Sequence, residues 1–162
     1  MSFFAIAWVT TDLSQLNEWI NILGRQSDCT WYMVGLIWMV QIVHYNMFDR
    51  VDEEQFRQYE ADHNRLITPI VGLLMLIELA TAVLLVVSVP DSFPRWASFM
   101  GVGLIALIWL STLLLQIPCH HQLSNGFDEA TYRRLVPSNW IRTILWTVRG
   151  GLMAYFAVLA MR

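Results

Sequence analysis

Glu60 and His63 stand three residues apart, a spacing that presents a carboxylate and an imidazole on one helix face, as in the metal sites of helical bundles. A two-metal centre needs a second such pair, and Gln41-x-x-His44 supplies only an amide in the matching place. The residue types instead suggest a mononuclear Fe, Cu or Zn site from two or three of His44, His63 and His120 with Glu60. A haem held by one or two of these imidazoles fits the same residues, as does plain acid–base work. His121 is expected to face away from its neighbour.

Polar companions share the faces of these residues. Gln41 and Tyr45 lie with His44; Thr112, Gln116 and His120 recur at i, i+4, i+8; and Asn139, Arg142, Trp146 and Arg149 line one face of a last helix. Arg142 and Asn139 are placed to orient an anionic or carbonyl oxygen, with Tyr45 as a further catalytic candidate. Glu78 and Arg149 lie at matching depths in two apolar runs, which predicts a buried ion pair joining them.

The elements that must position these residues follow from composition. Of 162 residues, 56% are hydrophobic and only 14% charged, too few charges for an ordinary soluble domain. Four apolar stretches near 29–48, 66–89, 96–117 and 139–160 each match the roughly 20 residues that a helix needs to cross a bilayer. Trp31, Tyr32, Trp96 and Trp140 fall at stretch ends, where such rings favour the headgroup level. Residues 1–28 hold the short run Phe3 to Val9, then Leu13, Leu16, Ile20 and Leu23 at helical spacing, with Asp12 as a cap and Gly24 as a stop. They read as an N-terminal interfacial amphipathic helix, with no removable signal peptide. The predicted architecture is all-α: an integral membrane four-helix bundle over 29–162, preceded by that segment.

Local signals set the joints. Asp52, Glu53 and Glu54 open the second helix, Asn125-Gly126 marks a turn, and Pro137-Ser138 is read as the start of the fourth span with Ser138 as its cap. Gly72, Gly101 and Gly103 are read as close-packing points between helices. With a turn centred on 50–51, His44 and His63 should differ in height by roughly 8 to 9 Å at about 1.5 Å per residue, unless Pro69 kinks the second helix. Cys29 and Cys119 fall at opposite faces and should not bridge.

Other chemistry is excluded. All ten basic residues are Arg and the net charge is -3, which gives no nucleic-acid footprint. Phosphate-loop, nucleophile-elbow, zinc-protease and dinucleotide motifs are absent. Arg50, Arg57, Arg65, Arg133 and Arg134 flank the first and third loops, against Arg25, Arg95 and Arg162 on the other side, which favours those loops in the cytoplasm.

The runs Gln41-Ile42-Val43-His44-Tyr45, Trp109-Leu110-Ser111-Thr112 and Asn139-Trp140-Ile141-Arg142-Thr143 resemble those of small bacterial four-span membrane proteins. In layout, and in the Asn-x-x-Arg opening of its last helix, the chain is similar to the anthrone-oxygenase-like family, linked to oxidation of polycyclic aromatic substrates. The resemblance implies residence in a bacterial inner membrane and roles for His44, Asn139 and Arg142. The expectation is thus a membrane-embedded oxidoreductase or oxygenase-like protein, with a His-rich metal or haem site acting on a hydrophobic small molecule. The alternative is an accessory subunit docked on a larger membrane protein complex, its polar residues serving only to pair helices.

Overall fold

In a computed structural model the backbone of residues 2–90 and 93–160 is described, with side chains over 14–90 and 93–159. The side chains of Phe3 to Val9, Asp12 and Leu13, and the whole of Arg162, lie outside the described residues. The described chain is all-helical, without strands. Helix α1 (Ser2–Met39) continues through a π-helical segment, Val40–His44, and a 3-10 segment, Tyr45–Arg50; α2 is Glu53–Val87. Helix α3 (Arg95–Ser111) continues through a second π-helical segment, Thr112–Gln116, into α4 (Ile117–Leu123), and α5 is Glu129–Ala160. These four rods pack in a ring, α1 on α2, α2 on α3, α3 on α5 and α5 on α1.

Local chemistry explains most joints and corrects two. Glu53 and Glu54 complement the N-terminal dipole of α2. Gly126 carries the expected turn with φ 137°, a left-handed conformation that favours glycine. Helix α1 passes through Gly24 without ending there. Helix α5 likewise runs through Pro137, and its cap is Asp128, whose Oδ2 accepts from the Thr131 backbone N–H at 2.8 Å. The Ser138 hydroxyl donates back to Leu135 O at 3.0 Å, so it serves as no cap. In the third turn, Pro137 frees a carbonyl only toward the helix's exposed start.

Three buried layers stack along the ring. Trp19, Leu85, Phe93, Ala97 and Phe156 form one end, Met33, Met75, Ile105, Ile108 and Trp146 the middle, and Tyr45, Phe48, Phe56, Leu123 and Leu135 the other end. Between the first two, Glu78 and Arg149, both with no exposed surface, pair at 2.7 Å. Thr30 donates to Glu78 Oε1 at 2.6 Å, and Arg149 Nη1 to Gly101 O at 2.5 Å, so the pair is hydrogen-bonded on both sides.

Two rods, α2 and Arg95–Leu123, are long and apolar enough to cross a membrane.

Candidate functional site

The end of the ring that holds the third layer also brings together His44, Tyr45, Glu60, His63 and His120, whereas Glu78 and Arg149 lie toward the other end. His44 Nε2 and His63 Nδ1 are 2.8 Å apart with stacked rings. His120 Nδ1 is 2.7 Å from Glu60 Oε1, while its Nε2 is 3.0 Å from the Tyr45 hydroxyl. The His63 and His120 rings stack at 5.3 Å. Three of the four imidazoles are therefore in one cluster, and His121 is exposed beside it.

The height separation expected from a uniform hairpin is corrected, and the cause is local. Residues 45–50 rise as a 3-10 helix and 51–52 make the turn. At about 2.0 Å per residue the chain climbs roughly 12 Å from His44 to Arg50, then descends roughly 15 Å from Glu53 to His63 at about 1.5 Å per residue, leaving only about 3 Å to make up. No break at Pro69 is involved, since α2 is continuous through it.

Two π-helical segments frame the cluster, and neither was foreseen from periodicity. Each admits an extra residue into a turn, a feature common at functional sites. In the first, Asn46 Nδ2 donates to Gln41 O at 3.2 Å and Ile42 O at 2.9 Å, satisfying carbonyls that the wide turn would expose. In the second, Ser111 donates to Gln116 Oε1 at 3.1 Å.

Glu60 is fully buried and holds His120 in one orientation. With its carboxylate accepting from Nδ1–H, the His120 Nε2 lone pair is left for the Tyr45 O–H. Asn64 adds a bond to Glu60 Oε1 at 3.1 Å, and Glu60 Oε2 has no partner. His63 stands just before the apolar stretch 66–89; burial, helped by neighbouring His120 and His44, pushes its imidazole down to about 3. His63 is accordingly neutral at ordinary pH.

Among the described residues, no group of three or more His, Cys, Asp or Glu side chains is placed to hold a metal ion. The candidate ligands His44, Glu60, His63 and His120 are neighbours, but their nearest atoms are spent on one another.

Beside the cluster lies a cavity of about 520 Å³. Its polar end carries Tyr45, His63, Gln116, His120 and Arg142; its body is apolar, with Met33, Ile37, Ile67, Val71 and Met75. Thr112, Gln116 and His120 all line it, as their shared face predicts. It opens sideways between α2 and the α3–α4 rod, where Thr68, Ile117 and His121 are exposed. Gly72 also lines it, and a Cβ there would meet nothing within 4 Å, as at Gly103. Those two glycines are therefore not close-packing points. Gly150, which the sequence did not single out, is one: its Cβ would lie 3.2 Å from Val34 and 3.4 Å from Trp31.

Arg142 is 6% exposed and has no carboxylate partner among the described residues. Its Nη1 donates to Asn139 Oδ1 at 3.2 Å, Asn139 Nδ2 donates to Gln41 Oε1 at 3.0 Å, and Gln41 Nε2 donates to Val136 O at 3.1 Å. Asn139 thus positions Arg142 from behind. Arg142 Nε is buried without an acceptor, and so is the Nε1 of Trp109, another lining residue. Compared with family models, curated proteins and solved structures, the chain matches none.

Proposed function

We propose that the chain is an integral membrane four-helix bundle that binds a lipophilic, oxygen-bearing small molecule in its lateral cavity and exchanges a proton with it. The observation that carries this reading is the Glu60–His120–Tyr45 chain ending at that cavity. A proton leaving the ligand reaches the Tyr45 oxygen as the Tyr45 proton moves to His120 Nε2. The resulting imidazolium is paired with Glu60, and the negative charge left on the ligand shares the cavity with Arg142. Oxidation of the bound molecule, the chemistry expected from the sequence, needs an electron acceptor that reaches the same cavity. The deprotonated ligand is the electron-rich form for such an acceptor.

Exposure supports the membrane setting. Only 22% of the most apolar stretch of α2 and 28% of that of Arg95–Leu123 is buried, so these helices present apolar flanks outward, unlike core helices. Outward residues on all four rods, among them Leu73, Leu110, Ile144 and Trp38, continue the apolar surface.

Protein purified in mild detergent is expected to retain a lipophilic compound that solvent extraction and mass spectrometry recover. Adding that extract to depleted protein should produce infrared difference bands of tyrosine and imidazole, absent in Tyr45→Phe and His120→Gln. Bands unchanged in both variants would overturn the proton-exchange reading. A stoichiometric haem or transition metal that His44→Ala removes would replace it with a metal centre.

A further inference from the structure

We infer that the cavity takes a lipophilic monocarboxylic acid, which enters from the lipid in its neutral form and is held as a carboxylate by Arg142. The inference rests on the cavity being the ligand site described above. It is carried by Arg142 itself, a cation that is over nine-tenths buried, without an acid partner among the described residues, and at the polar end of a void whose body is apolar. Such a charge is costly unless something opposite to it arrives.

Three details narrow the class. Arg142 Nη1 is occupied by Asn139 while Nε has no acceptor, which leaves the side of the guanidinium that engages carboxylate oxygens without a protein partner. Trp109, which lines the same cavity from α3, carries a second buried donor without an acceptor, its Nε1, so the cavity offers unpartnered donors for more than one ligand oxygen. Among the described residues Arg142 is the only Arg lining the cavity, and the chain has no Lys, which matches one negative charge rather than the two of a phosphate monoester. The apolar strip through Ile67, Val71 and Met75 receives the tail, and the sideways mouth lets the molecule enter without crossing water.

The proton balance closes within the site. The carboxylic O–H bond breaks, its proton passes to the Tyr45 oxygen as the Tyr45 proton passes to His120 Nε2, and the carboxylate is left against Arg142. Two charges are created, each beside an opposite one already present: carboxylate with Arg142, imidazolium with Glu60.

Native mass spectrometry of the whole protein released from detergent micelles tests this, with oleic acid and oleyl alcohol as probes of equal chain length. A one-to-one oleate adduct is expected at least tenfold more populated than that of the alcohol. Arg142→Gln should bring oleate down to the alcohol's level, while Arg142→Lys, which keeps the charge, retains part of the preference. Because Arg142→Gln removes an unpaired buried charge, its Tm without ligand should not fall, whereas loss of a merely structural residue would lower it. Gly72→Leu should block both probes by filling the void. Equal occupancy by oleate and alcohol in wild type, or wild-type oleate occupancy in Arg142→Gln, overturns the carboxylate inference and leaves the cavity reading standing. Oleate and alcohol adducts that Gly72→Leu leaves unchanged overturn the cavity reading as well.

Discussion

Glu78 and Arg149 show how a buried charge pair can be fully committed to structure. Each is sealed from solvent, and Thr30 and Gly101 O take up further hydrogen-bonding capacity. Removing one partner strands the other, so Glu78→Gln or Arg149→Met alone is expected to cost about 3–5 kcal/mol. The double change Glu78→Leu with Arg149→Met should cost much less than the sum, read from thermal unfolding in detergent. Histidine protonation gives a second residue-scale prediction. The folded pKa of His63 lies below its ordinary 6.5, at about 3, so the unfolded chain binds the proton more readily. The stability contributed by neutral His63 is whole above about 6.5 and drains away as pH falls toward 3. Tm should drop with acidification across that window, and His63→Gln should flatten the drop. The sequence exposed these groups through residue type alone: ionisable side chains in apolar runs stand out whatever the fold. What it could not show was which nitrogen meets which oxygen, because a displacement of a few ångströms along a helix separates a ligand set from a hydrogen-bonded chain.

At the scale of elements, packing between α1 and α5 depends on one missing side chain. A Cβ at Gly150 would press on Val34 and Trp31, whereas one at Gly72 would project into the cavity. Gly150→Val should therefore destabilise by about 1–3 kcal/mol through overpacking. Gly72→Ala should stabilise by up to about 1 kcal/mol through helix propensity, and chemical denaturation of the two variants side by side checks the contrast. The same contrast marks what was legible. The all-helical class, the Asn125-Gly126 turn and the acidic start of α2 follow from local chemistry, whereas the continuity of α1 through Gly24 and of α5 through Pro137 does not. Nor do the π-helical segments at 40–44 and 112–116, because in an apolar run nothing in residue type separates five residues in a wide turn from an ordinary one. Pro137 misled for a related reason. A proline near a helix start is tolerated wherever its freed carbonyl finds water, and residue order alone does not say which helix it belongs to.

At the scale of the whole molecule, the ring of four rods turns much of its apolar surface outward. On the proposed membrane reading, the protein should stay with the bilayer through alkaline carbonate extraction. Reporters inserted after Asn125 and after Val51 should report the same side, the cytoplasm on the Arg count. Release into the alkaline supernatant would sink the membrane reading, and reporters on opposite sides would sink the hairpin topology.

The sideways mouth between α2 and the α3–α4 rod also decides how concentration must be counted. On the proposed membrane reading, a molecule that arrives through it is drawn from the surrounding lipid, so its occupancy depends on mole fraction in the membrane and not on molarity in the buffer. An apparent Kd quoted in aqueous units should rise in proportion to the amount of lipid or detergent present, while the same constant expressed per lipid stays fixed. On that reading, acyl chains of the host bilayer become competitors at the threshold, and occupancy by the proposed ligand is tied to what the membrane around the protein is made of.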